Sequence, residues 1–289
     1  MLLQQLTNGL MLGSGYSLVA IGFNLVFGVL GLLNFAHGGV FMIGAYVGVV
    51  LIVIFKFNIY LAILGSMVVC SVLGLVVELL AFRPIKKEHH LAPLIATIGL
   101  TIIIQEAAIK VFGPETIGFP KTVEIQNFNL GPVWISSVQI LIFSTSILLM
   151  MGLHFFIKLT KVGKAIRATA EDSQTASLLG VSINQITVLT FIISSALAGA
   201  GGVLIGLNYN SVHPFIGMNM VLKGFVIILL GGLGNVTGAM FCGLILGMIE
   251  VLSVAYLSSS YRDAFAFLTM LLILVIRPSG LFGLRIHER

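Results

Sequence analysis

The first charged side chain in the sequence is Lys56, so Met1 to Phe55 contains no Asp, Glu, Lys or Arg and a single His. One bilayer crossing needs only about 20 apolar residues. Drawn as one helix the stretch would reach about 80 Å, against a hydrocarbon core of ~30 Å. It must therefore cross or enter the membrane at least twice, with a turn near its middle. No basic flank precedes the apolar run, so a removable secretory signal is not expected.

The remainder continues the pattern. Of 289 residues 58% are hydrophobic and 9% charged, where a soluble domain carries about 25% charged residues. Apolar runs recur at Ile59 to Ala81, Leu91 to Phe112, Ile135 to Ile157, Ile186 to Leu207, Leu222 to Leu230, Gly238 to Leu257 and Ala264 to Ile276. The Leu222 run is short and ends in Gly231, Gly232 and Gly234, which suits a half-helix. The expected fold is an all-α polytopic membrane protein, one domain over residues 1–289, with about eight or nine transmembrane helices and broken or re-entrant segments.

Orientation follows from the basic loops. Arg83, Lys86 and Lys87 form one cluster, Lys158, Lys161, Lys164 and Arg167 a second, and Arg277, Arg285 and Arg289 a third; all three are expected in the cytoplasm. Gly113 to Trp134 carries Glu115 and Glu124 against Lys121, and Asn208 to Asn219 is uncharged, so both loops belong outside. The N-terminus then lies outside, with Lys56 as a mild exception, unless the segment around Asn34 re-enters without crossing, which flips that assignment. The net charge of +5 sits in these short clusters, which argues for membrane topology rather than a nucleic-acid partner. Glycines spaced four apart (Gly9 and Gly13, Gly44 and Gly48, Gly202 and Gly206, Gly234 and Gly238, Gly243 and Gly247) read first as sites of close helix packing.

Chemistry-bearing motifs are few. There is no H-E-x-x-H, no Gly-x-Ser-x-Gly and no phosphate loop, so neither intramembrane catalysis nor ATP hydrolysis by this chain is expected. Cys70 and Cys242 lie in apolar runs without metal-type spacing. Among polar residues within spans, Glu106 and Lys110 stand four apart and suit a local ion pair, while Glu78 and Glu250 are read as lying near helix ends; Lys223 stands alone in its run.

Two stretches stand out. Gly28 to Gly39 holds glycines, Asn34 and His37 between long apolar flanks and reads as a helix break. Such a break either borders a solute path, with Asn34, His37 and Gly38 as its polar lining, or forms a tight turn capped by the same residues. The second stretch lies in the long cytoplasmic loop 158–185. Glu171 to Gly180 reads as a short amphipathic helix, with Glu171 and Asp172 at its start, Ala176, Leu178 and Leu179 on its apolar side and Gly180 just past its end. That side suits either a groove on a soluble partner or the membrane surface.

At four places the chain resembles the permeases of ABC importers for branched-chain amino acids: Gly31-Leu-Leu-Asn-Phe-Ala-His-Gly38 with Gly44-Ala-Tyr46, Glu171-Asp172 with Ala176 and Leu178-Leu-Gly-Val181, Phe225 to Gly234, and Arg277-Pro-Ser-Gly-Leu-Phe-Gly283. The resemblance covers nearly the whole length and favours the shorter of two permease types. It implies a membrane subunit that binds no cofactor itself, with ATP used by two cytoplasmic ATPase subunits. A second, longer permease, or a second copy of this chain as the alternative, and an external solute-binding protein complete the implied importer, and 158–185 becomes its coupling loop. Related permeases serve urea or short amides, and a gradient-driven carrier or channel for such a solute is the alternative.

Overall fold

The computed structural model describes residues 1–85, 91–120, 126–131 and 133–283. Lys86, Lys87, Lys121, Glu124, Arg285 and Arg289, used above for orientation, lie outside the described residues. Every element long and apolar enough to cross a membrane is a helix, and there are eight among the described residues. This is the outcome that lipid enforces, because a helix satisfies its own backbone hydrogen bonds.

The opening run folds as α1 (Leu2–Leu30) and α2 (Ala36–Val53). Next come α3 (Ile59–Val77), which closes in a π-helical turn over Glu78–Phe82, and α4 (Leu91–Phe112). A hairpin of β2 (Asn127–Leu130) and β3 (Val133–Ser136) follows the short β1 (Ile117–Gly118) and leads into α5 (Ser137–Leu159). On the far side lie α6 (Lys161–Glu171) and α7 (Ser173–Leu178). The chain ends with α8 (Ile183–Tyr209), β4 (Ser211–Val212), α9 (Ile216–Gly231), α10 (Val236–Tyr256) and α11 (Arg262–Ile276). β1 pairs antiparallel with β4. The strands are the one departure from an all-helical chain, and they fall in loops between spans where backbone can pair outside lipid. Gln4 fastens the hairpin to α1, its side chain bonding both the N–H and the carbonyl of Trp134 at 2.8 Å.

The core is built on α1, which is buried along most of its length against α8, α9 and α10. The spaced glycines define the contacts. Gly9 and Gly13 of α1 meet Gly243 and Gly247 of α10, and Gly44 and Gly48 of α2 meet Gly199 and Val203 of α8, with Gly202 against Phe41. Without a strong hydrophobic drive between helices in lipid, such backbone approach supplies much of the association. A Cβ on Gly247 would lie 2.3 Å from the Cα of Gly13. Gly247→Ala is therefore expected to force α1 from α10 and cost about 1–3 kcal/mol, as overpacking does. Gly152→Ala, where a Cβ meets nothing within 4 Å, is the control. Melting of the two purified variants in detergent checks the difference.

Paired levels along the helices fix the layout. Gly28 packs on Gly234 and Gly9 on Met248, so α1 and α10 run antiparallel. Arg83 lies beside Asn184 and Gln185 at the start of α8, and Arg167 donates to the Lys158 carbonyl at 3.5 Å. Of the basic groups that orientation depends on, Arg83 and Arg167 thus lie at helix ends where positive-inside charge places the cytoplasm.

Candidate functional site

The helix break comes first. Gly31 ends α1 in the left-handed region (φ 66°), donating to the Phe27 carbonyl at 2.7 Å. The unwound residues are Gly31 to Phe35, so His37 and Gly38 stand in the first turn of α2 rather than in the break itself. α2 does not start level with the end of α1. His37 sits beside Val19 and Gly22, well back along α1, so the chain returns into the bundle before resuming as helix.

All three expected path residues are buried there. His37 is 1% exposed, with Nε2 3.3 Å from the Val19 carbonyl and Nδ1 3.3 Å from Ser194 Oγ. Because Val19 offers only an acceptor, Nε2 is assigned the proton. Ser194 then has one hydrogen for two acceptors, Nδ1 and the Gly22 carbonyl at 2.8 Å. Asn34 is 3% exposed and its Oδ1 has no hydrogen-bond partner among the described residues. Gly38 meets Gly217 backbone to backbone, bringing the first turns of α2 and α9 together. A Cβ on either would collide with the other's carbonyl.

α9 is the shorter apolar helix at 16 residues, in line with the half-helix expectation. It ends at Gly232 and Gly234, both at positive φ (94° and 80°). Here two of the resemblance stretches, Phe225 to Gly234 and Arg277 to Gly283, converge. The Gly234 N–H donates to Asn24 at 2.8 Å, the Leu281 N–H donates to the Leu230 carbonyl at 2.7 Å, and Asn235 donates to the Phe282 carbonyl at 2.8 Å. Segments far apart in sequence form one glycine-rich knot at the cytoplasmic end.

Loop 158–185 differs from the expected single helix. Glu171 closes α6, and Asp172, in an extended conformation, breaks the chain and caps α7. Its carboxylate accepts from Gln174 N at 2.8 Å, Thr175 N at 3.2 Å and Thr175 Oγ1 at 2.5 Å. The Thr175 hydroxyl and these two amides hold the Asp172 carboxyl below the usual carboxylate range, so the cap stays ionised. At the other end Gly180 (φ 87°) donates to Ser177 and Val181 to Ala176, a Schellman closure. Ala176 is turned inward and buried, whereas Leu178 and Leu179 are 88% and 79% exposed. The apolar side thus reduces to two leucines, presented on a short helix locked at both ends.

One cluster was not foreseen as a unit. Glu250 lies within α10, six residues before its end, and its side chain is 0% exposed. Its Oε1 pairs with Lys223 Nζ at 2.5 Å and its Oε2 accepts from the Tyr16 hydroxyl at 2.9 Å. The sequence signal was two opposite charges in separate apolar runs, which in a membrane are expected to seek each other. Glu78 does lie near the end of its helix, within the π-helical turn, and its Oε2 has no partner among the described residues. Among the described residues no ion pair joins Glu106 to Lys110; both are exposed on α4.

Comparison with known proteins settles the family. The model of the branched-chain amino acid transport system permease component matches residues 5–274. The chain belongs to that family. The high-affinity branched-chain amino acid transport system permease protein LivH of Escherichia coli is 38% identical over 97% of this chain and 95% of its own length. The corresponding protein BraD of Pseudomonas aeruginosa is 39% identical over the same shares. The permease protein LivM of Escherichia coli is 27% identical over 92% of this chain but only 67% of its own length, so this chain is of the shorter type. No solved structure matches it. The chain is thus a multi-pass membrane transport subunit, the permease component and not the ATPase.

Proposed function

We propose that this permease moves leucine, isoleucine and valine into the cytoplasm by alternating access, in an importer with a second, longer permease, two cytoplasmic ATPases and an external solute-binding protein. The observation that carries it is α7. A six-residue helix cannot hold itself together in water, yet this one is fastened by Asp172 and Gly180 and presents Leu178 and Leu179 outward. Two exposed leucines on a rigid cytoplasmic element suit a groove on an ATPase, in the helix-in-groove manner. Closure of the ATPase pair then moves α7 with α6, which packs against α5, α1 and α8, and so reaches the helices around the break.

Asn34, His37 and Gly38 act where α2 and α9 begin. The Asn34 oxygen, without a partner among the described residues, and the paired first turns support a place beside the solute path, with His37 holding the break through Val19 and Ser194. His37→Leu and Asn34→Leu are each expected to reduce uptake about tenfold or more while cutting assembled complex far less, since His37 makes two side-chain hydrogen bonds worth ~1 kcal/mol apiece and the Asn34 oxygen makes none among the described residues. Uptake per assembled complex measures this, and wild-type values in both would return them to the role of turn residues.

The test of the whole assignment is co-purification from the native host in mild detergent. Recovery of ATPases and a second permease, with hydrolysis stimulated by leucine-loaded binding protein, is the expected result. Recovery of this chain alone, silent towards ATP, would favour a gradient-driven carrier.

A further inference from the structure

Lys223 stands between two carboxylates of unlike freedom. Glu250 Oε1 lies 2.5 Å from its Nζ on a side chain that is 0% exposed, while Asp263 Oδ1 lies 3.1 Å away on a side chain that is 68% exposed. Arg262 Nε lies 3.9 Å from Glu250 Oε2, so the set holds two cations and two carboxylates. Tyr16 fixes the buried half, donating to Glu250 and accepting from Nζ at 3.2 Å. Asp263 has no such anchor among these groups. An ion pair with one exposed partner is weak and exchangeable.

Next to this pair, between α9 and α11, runs a groove. Lys223, Asp263 and Asn219 are its polar groups, and Leu222, Val226, Ala266 and Phe267 its apolar wall. Its free volume is about 40 Å³, so an amino acid enters only when α11 moves away from α9. The contacts allow that, because Ala266 is the one residue of α11 that is fully buried. Its Asp263 end lies at the start of α11, just after α10 ends and on the same side as the start of α1, the outer side by loop charge.

We propose that this groove is a station for a zwitterionic aliphatic amino acid. The incoming carboxylate takes the place of Asp263 on Lys223, the ammonium pairs with the released Asp263, and the side chain lies on Leu222, Val226, Ala266 and Phe267. One ion pair becomes two and the net charge of the set is unchanged. A fatty acid or an alkylamine would make only one of the two charged contacts, and an uncharged amide could not make the exchange. The assignment rests on the amino-acid permease function above and adds the groups that recognise the zwitterion.

The test uses the complete importer in liposomes, with leucine-loaded binding protein outside and ATP inside, and reads leucine carried per ATP hydrolysed. Asp263→Asn is expected to lower that ratio about tenfold or more, the loss of one charge-assisted contact, and Asp263→Glu to recover part of it. The double substitution Lys223→Gln with Glu250→Gln removes a buried cation together with its counter-ion, and the same loss is expected there. A wild-type ratio in Asp263→Asn or in the double variant overturns the station and leaves the amino-acid permease standing. A wild-type importer that hydrolyses ATP and carries an uncharged amide but no leucine overturns both.

Discussion

Leu179→Asp is expected to yield a permease that inserts and folds normally yet imports nothing measurable. Leu179 occupies the C-cap of α7 and is 79% exposed. The bonds that hold α7 come from Asp172, Thr175, Ser177, Gly180 and Val181, and the Leu179 side chain takes part in none of them. Exposed substitutions away from such features usually change stability by less than about 0.5 kcal/mol. In a protein–protein groove the outcome is different, because an unpaired carboxylate buried there costs several kcal/mol and anchors of this kind dominate binding. A loss of about 4 kcal/mol weakens docking roughly a thousandfold. The measurement is leucine uptake in membrane vesicles, normalised to permease in the membrane, together with recovery of ATPase on a tagged permease. Normal uptake with normal ATPase recovery would leave α7 as a helix lying on the membrane surface.

The second large effect is on stability. Lys223→Met removes the cation 2.5 Å from Glu250 and leaves that carboxylate 0% exposed. Among the described residues only the Tyr16 hydroxyl and the more distant Arg262 then remain on it. Breaking a buried ion pair from one side costs about 3–5 kcal/mol. The purified variant should therefore melt well below the wild type in detergent. Adding Glu250→Gln should restore most of the loss, since replacing both members of a buried pair is often nearly neutral. Melting of Lys223→Met at the wild-type temperature would show that the Lys223–Glu250 contact contributes nothing to stability.

Much of this architecture is legible in the sequence because lipid leaves few options. Runs of apolar residues must be helices, loop charge sets their direction, and glycines at spacing four mark where backbones meet. The Gly9–Gly13 and Gly243–Gly247 pairs find each other for that reason. Gly180 likewise had to end a helix, since few other residues adopt its φ of 87°. Boundaries were less legible. Glu171 and Asp172 look alike as first-turn acids, and only the position of α6 decides that one closes a helix while the other caps the next. Ala176 reads as part of an outward apolar side, but packing of the loop on the bundle turns it in.

What the sequence determined by itself is the class of molecule: a multi-span helical membrane protein with a helix break within Gly28 to Gly39, a short apolar run at Leu222 to Leu230 and basic cytoplasmic loops. These are properties of composition and of residues near one another in the chain. The tertiary structure alone decided that Lys223, Glu250, Tyr16 and Asp263 form one set, and that the break returns to the level of Val19 and Gly22. Such contacts join residues far apart in sequence, and which buried charge finds which partner depends on how the helices cross, a matter that no local pattern of residues encodes.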